Sequence, residues 1–85
     1  MSDTELMLNE VEVGKYYRVK RVGGSGPVRK RIMDMGVTKG AEFYVRKLAP
    51  LGDPVQISIR GYELSFRKDD ASLIAVEQTA GAALN

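Results

Sequence analysis

The chain has 85 residues with 13 Lys and Arg against 11 Asp and Glu, a formal net charge of +2, and neither Cys nor His. This length supports one domain with a modest core, and the missing Cys excludes a disulfide staple and any thiolate ligand, in keeping with a reducing cytosol. The missing His removes the usual general base near neutral pH, and no apolar run approaches the roughly 18 residues that cross a bilayer. With no basic start at Met1-Ser2-Asp3, a soluble protein without a signal peptide is expected.

A small barrel suits the length, because closing a sheet on itself buries apolar faces and removes exposed edges. Leu6, Met7, Leu8 and Val11 predict a lead-in segment that plugs one end of it as a short helical turn, broken at Gly14. Residues 15–22 predict a first strand with Tyr17 and Val19 inward. Its alternation weakens towards Val22, as a bulge near Lys20 would cause. Gly23-Gly24-Ser25-Gly26 reads as a flexible loop. Pro27 then opens a helix of about two and a half turns, capped by Ser25 or Gly26, with Val28, Ile32 and Met35 as its apolar stripe. Arg29, Lys30, Met33 and Asp34 project from the other side, and Gly36 supplies a left-handed stop. After Gly40, residues 42–48 predict a strand with Phe43 and Val45 inward and Tyr44 outward.

The most constrained stretch follows. Val55, Ile57 and Ile59 alternate with polar residues, as do Tyr62, Leu64 and Phe66, and Arg60-Gly61 lies between the two runs. A two-residue hinge with Gly predicts a hairpin pairing Ile59 with Tyr62, Ile57 with Leu64 and Val55 with Phe66, all six on one face. Residues 68–71 read as a tight turn or a single helical turn, and 73–77 as the closing strand. Residues 1–78 form the expected domain, and 79–85 are expected to fray.

Arg29, Arg31, Ile32, Asp34, Met35, Gly36 and Gly40 form a second signature. Together with the run at 49–54, Arg60-Gly61-Tyr62, Arg67, Ala71, Ile74 and Val76, they make the chain resemble the FeoA family over roughly residues 8–77. Those are small bacterial cytosolic proteins of ferrous-iron uptake, so the resemblance implies a mainly β, SH3-like barrel with one short helix. Met33 and Met35 stand where that family usually has Leu, and Phe66 stands for a smaller aliphatic.

The charge is distributed unevenly. All thirteen bases fall between Lys15 and Lys68, against Asp34, Glu42, Asp53 and Glu63, leaving that interval at +9. Such an interval is expected to attract something negative, although solvation of a small barrel's outer face would equally account for it. Catalysis has few candidates. The adjacent carboxylates Asp69 and Asp70 read better as a helix cap than as an acid–base pair, so an enzyme is not expected. Scattered carboxylates and four Met make a poor ferrous site, so neither a metal nor a cofactor is expected and the role is that of a helper. The glycines before Pro27 lack the Lys-Ser/Thr pair of a phosphate loop, and Pro27 removes a donor.

Asp34 opposes the helix dipole in the last turn, which calls for a cation such as Lys30 one turn back. The loop Pro50-Leu51-Gly52-Asp53-Pro54 is bracketed by prolines, with Leu51 either exposed as an anchor or folded onto the barrel. Expected partner-binding residues are Arg29, Lys30, Met33, Asp34, Pro50, Leu51, Asp53 and Arg60.

The resemblance implies that the partner is the cytoplasmic part of an FeoB-type ferrous iron transporter, whose transport or GTP hydrolysis the protein would modulate from the cytoplasm. An anionic membrane face is a second surface for the basic middle. One alternative is the SH3-like module of a DtxR-type metal-dependent repressor, although no winged-helix segment precedes the barrel here. A nucleic-acid-binding barrel is another, but the aromatics lack the paired stacking motif and no specific nucleic acid is expected. A third is an arginine supplied in trans to GTP hydrolysis, with Arg29 and Arg60 as donors.

Overall fold

Alternating apolar residues dictate most of the architecture, seen in a computed structural model that describes residues 6–50 and 53–80. The elements run β1 (Leu6–Met7), a 3-10 turn (Leu8–Glu10), β2 (Tyr16–Val22), α1 (Gly26–Asp34), β3 (Glu42–Leu48), β4 (Val55–Ile59), β5 (Tyr62–Phe66), α2 (Lys68–Ala71) and β6 (Ile74–Thr79). The strands pair antiparallel in one sheet, ordered β1-β6-β2-β3-β4-β5. The expected mainly β architecture with one main helix is present.

Closure differs from expectation. β1 and β5 remain the two ends of the sheet, and no ladder joins them among the described residues. The gap is filled instead by α2, which touches both the 3-10 turn and β5. Leu8 and Ala71 are fully buried there, beside a core that includes Phe43, Val45, Ile57, Phe66 and Ile74. The lead-in segment therefore plugs the barrel as expected, and Glu10 fastens its turn by accepting the Met7 N–H at 2.9 Å.

Tyr17 and Val19 point inward on β2, and the β2–β6 register slips between Val19 and Arg21, so the expected bulge lies at Lys20. Buried Tyr17 keeps its hydroxyl satisfied by accepting the Glu12 N–H at 3.0 Å. β3 buries Phe43 and Val45 while Tyr44 lies outside against Tyr16, with ring centroids 4.8 Å apart. A second slip falls between Val45 and Lys47, where the apolar parity changes from 43 and 45 to 48. On the outer face Arg18 sits between its paired neighbours on two strands. It meets Glu77 of β6 at 2.6 Å and Glu42 of β3 at 3.6 Å. The hydrogen bond and charge of Glu77 hold its guanidinium pKa above the ordinary arginine value.

The helix contacts the sheet by a different stripe from the one expected. Ile32 is buried and Met33 packs against the core, whereas Val28 and Met35 are 38% and 37% exposed. With only nine residues, α1 rests on β2 along one narrow edge, and a three-position stripe is wider than that contact. Its ends are as expected. Ser25 is the N-cap residue by position, though its side chain makes no cap hydrogen bond, and Pro27 lies in the first turn. Gly36 takes φ +98 while donating its N–H to Met33 at 3.0 Å.

The hairpin register is the expected one: Ile59 opposite Tyr62, Ile57 opposite Leu64, Val55 opposite Phe66. Arg60 and Gly61 both have positive φ, +52 and +83, the requirement of a type I′ turn. Burial along the two strands is nevertheless unequal. Val55, Ile57, Ile59 and Phe66 are buried, Leu64 is half-buried and Tyr62 is 69% exposed. As the terminal strand, β5 lacks a neighbour to cover the far half of its apolar face.

The acids at 69 and 70 do not cap α2 with their side chains. They lie within its first turn, and the Lys68 N–H that begins the helix donates to Asp53 at 3.2 Å. Thr79, placed by the sequence in a fraying tail, ends β6 opposite Tyr16. Of the rest of that expected tail, Ala80 is exposed and outside the strand, and 81–85 lie outside the described residues.

Candidate interaction surface

The basic residues of α1 are largely committed within the protein. Arg29 donates from Nε to the Val22 carbonyl at 3.2 Å, Lys30 pairs with Asp34 at 3.0 Å, and Arg31 pairs with Asp70 at 2.8 Å. The Lys30–Asp34 pair is the i, i+4 answer to a carboxylate at the negative end of the helix dipole. Lys20, Lys39, Lys47, Arg60 and Arg67, by contrast, form no ion pair among the described residues. Uncompensated positive charge thus lies at the β2 bulge, the end of β3 and the turns, and on the helix only at Arg29, whose partner is a neutral carbonyl.

The eight expected partner residues do not form one surface. Asp34 and Arg60 come together: with Met35, Gly36, Ile59, Tyr62 and Leu64 they line a groove of about 310 Å³ between the end of α1 and the β4–β5 hairpin. Arg29 and Lys30 are exposed on the same helix, while Met33 faces the core. Pro50 and Asp53 are exposed at the opposite end of β4 from Arg60, five strand residues away, or roughly 16 Å. Asp53 is already occupied as the acceptor for α2. Leu51, the proposed anchor, lies outside the described residues.

A second groove, of about 500 Å³, runs along the β3–β4 connection and is lined by Val13, Arg46, Lys47, Leu48, Ala49, Pro54 and Gln56. Arg46 is held across β4 by Glu63 at 3.2 Å. Among the described residues, no three His, Cys, Asp or Glu gather as a metal site would require, and no helix is long and apolar enough to cross a membrane.

Tyr62 and Met35 are the surface residues that sequence reasoning missed as such. Periodicity assigns both to the core, because it cannot say that β5 ends the sheet or that the helix lies on one edge. No local signal separates them from the core: Ile59, on the other side of the Arg60-Gly61 hinge, carries the same alternation as Tyr62 and is buried.

Similarity to known proteins agrees with this architecture. Residues 6–78 match the model of the FeoA domain. Over 72 residues the chain is 42% identical to the Fe(2+) transport protein A/Fe(2+) transporter FeoB fusion protein of Porphyromonas gingivalis, covering 85% of this chain but only 8% of that one. The FeoA-like protein from Clostridium acetobutylicum is 43% identical, with a TM-score of 0.77 and 88% of each chain covered. The FeoA of Stenotrophomonas maltophilia, solved with zinc and described as an SH3 domain protein, shares the fold at 20% identity and a TM-score of 0.76, over 91% of this chain and 99% of that one. IdeR of T. acidophilum likewise shares the fold alone, at 14% identity and a TM-score of 0.79, over 93% of this chain and 36% of that one. By the family match across nearly its whole length and by its 42% identical relative, the chain belongs to the FeoA family of ferrous iron transport proteins.

Proposed function

We propose that the protein is a cytoplasmic binding module, not an enzyme, which docks onto the cytoplasmic part of an FeoB-type ferrous iron transporter and modulates its transport or GTP hydrolysis. The observation that carries this is the Porphyromonas gingivalis relative, in which sequence 42% identical to this chain is joined covalently to an FeoB transporter. Covalent joining raises the local concentration of one partner at the other, which is useful when the two must touch. The uncompensated cations at Lys20, Lys39, Lys47, Arg60 and Arg67 suit an acidic protein surface, with the anionic membrane face next to it as a secondary attraction.

The test uses the full-length transporter of the same organism in nanodiscs. Direct binding together with a changed rate of GTP hydrolysis or iron uptake on adding the protein is the expected result. Absence of binding at concentrations up to about 100 μM, well above typical signalling affinities, with unchanged rates, sinks the reading. Reversing Arg60 to Glu should slow association at low salt and lose most of that effect at high salt, as charge steering does.

A further inference from the structure

β5 presents an unpaired backbone edge beside an apolar groove, and the hairpin register says which groups are free. In a two-residue hairpin the flanking residues, Ile59 and Tyr62, exchange hydrogen bonds, and hydrogen-bonded and non-bonded pairs alternate from there. Ile57–Leu64 and Val55–Phe66 are therefore bonded pairs. Glu63 and Ser65 belong to the non-bonded pairs and direct their N–H and C=O groups away from β4. No strand lies on that side among the described residues. Neither proline nor an uncompensated inward charge blunts the edge, and α2, which touches β5, begins only at Lys68, beyond the strand's C-terminal end. Its one acid, Glu63, is neutralised by Arg46 at 3.2 Å. Immediately beside it, exposed Tyr62 and Met35 and half-buried Leu64 wall the groove of about 310 Å³.

We propose that an extended segment of the transporter's cytoplasmic part adds to this edge as a further strand, an interaction that rests on the docking reading above. The outward amides of Glu63 and Ser65 bond its backbone. Its apolar side chains, at alternate positions, enter the groove between Met35, Tyr62 and Leu64. The two ends of β5 fix its charge. Arg60 and Arg67 flank the strand and neither has an ion-pair partner among the described residues, so the fitting segment carries acidic residues about seven positions apart, outside an apolar centre. A second copy of this chain fits less well. The antiparallel register that uses both outward residues centres on Leu64 and sets the Arg60-Gly61 turn of one copy against Arg67 of the other, like charges at both ends.

Amide hydrogen exchange of the protein, alone and saturated with full-length transporter in nanodiscs, tests this. The Glu63 and Ser65 amides should exchange quickly in the free protein and slow at least about tenfold in the complex, as a newly bonded strand requires. Ser65→Pro removes one outward donor without touching the β4 ladder, so it should fold yet weaken binding about tenfold. Tyr62→Ser and Met35→Ser should each weaken it by a similar factor. Binding that is saturated and leaves both amides unprotected overturns the strand-addition proposal while leaving the docking reading intact. No binding at all overturns both. Protection that rises with protein concentration in the absence of transporter, with a doubled mass, assigns the edge to a second copy and also overturns it.

Discussion

Arg31, in the last turn of α1, donates to the carboxylate of Asp70 in α2 at 2.8 Å, joining two helices 39 residues apart in sequence. The pair ties α1 to the short helix that touches both the 3-10 turn and β5. Asp70 lies inside the first turn of α2, past the N-cap position at Arg67. Its charge is engaged across the fold.

Because the Arg31 side chain is 59% exposed and that of Asp70 24%, the pair should contribute little for its length. A double-mutant cycle with Arg31→Ala and Asp70→Ala, read by urea denaturation, should give a coupling of about 0.5–1 kcal/mol that shrinks at high salt. A coupling unaffected by salt would mean the two residues interact through packing and not through charge.

Gly36 holds φ +98, and a Cβ there would have nothing within 4 Å to strike. The cost of substitution is therefore backbone strain alone. Gly36→Val should lose about 1–2 kcal/mol or slightly more, a substantial share of a small domain's stability. A melting curve matching the parent's would show that the helix end relaxes freely.

Arg60 occupies the first central position of a type I′ turn with φ +52, a conformation that Asn and Gly adopt more readily. Arg60→Asn should leave stability unchanged or raise it by a few tenths of a kcal/mol, whereas Arg60→Val should cost about 1–2 kcal/mol. Since Asn also removes the charge, any loss of transporter binding in that variant is attributable to the guanidinium. Thermal melts of both variants give the stability side of this comparison.

Ferrous iron should not bind stoichiometrically at micromolar concentration, because the chain has no imidazole or thiolate and its carboxylates are dispersed. Anaerobic calorimetry with ferrous salt should show only weak, non-saturating heats. A saturating isotherm abolished by changing one or two named carboxylates would locate a site that the donor set does not suggest.

How much of this was legible beforehand depends on the range of the interaction. The hairpin register, the bulge at Lys20 and the stop at Gly36 are local consequences of period-two alternation and of a residue able to take positive φ, so they could be read directly. Which half of β5 stays exposed could not. Val55 and Tyr62 carry the same periodic signal, and only the order of strands in the finished sheet distinguishes a central strand from a terminal one. Likewise Asp53 and Asp70 looked like a loop residue and a cap. Their actual partners, the Lys68 amide and Arg31, are 15 and 39 residues away, beyond any local pattern. Met33 and Met35 exchanged roles for a similar reason. A helix of nine residues offers several stripes of nearly equal apolarity, and where it rests on β2 selects among them.

The pairing of Leu6 with Val76 has a consequence for how this domain can be carried in longer polypeptides. β6 runs only three residues past that pair before ending at Thr79, so the first and last strands of the fold begin and finish within roughly 10 Å of each other on adjacent strands. A flexible connector can leave from either side of the domain with almost the same reach. Neighbouring sequence can thus be appended before residue 6 or after residue 79 without threading through the barrel. A circularly permuted version, joined by a few glycines between these points and opened within the 50–54 loop, should retain the same sheet.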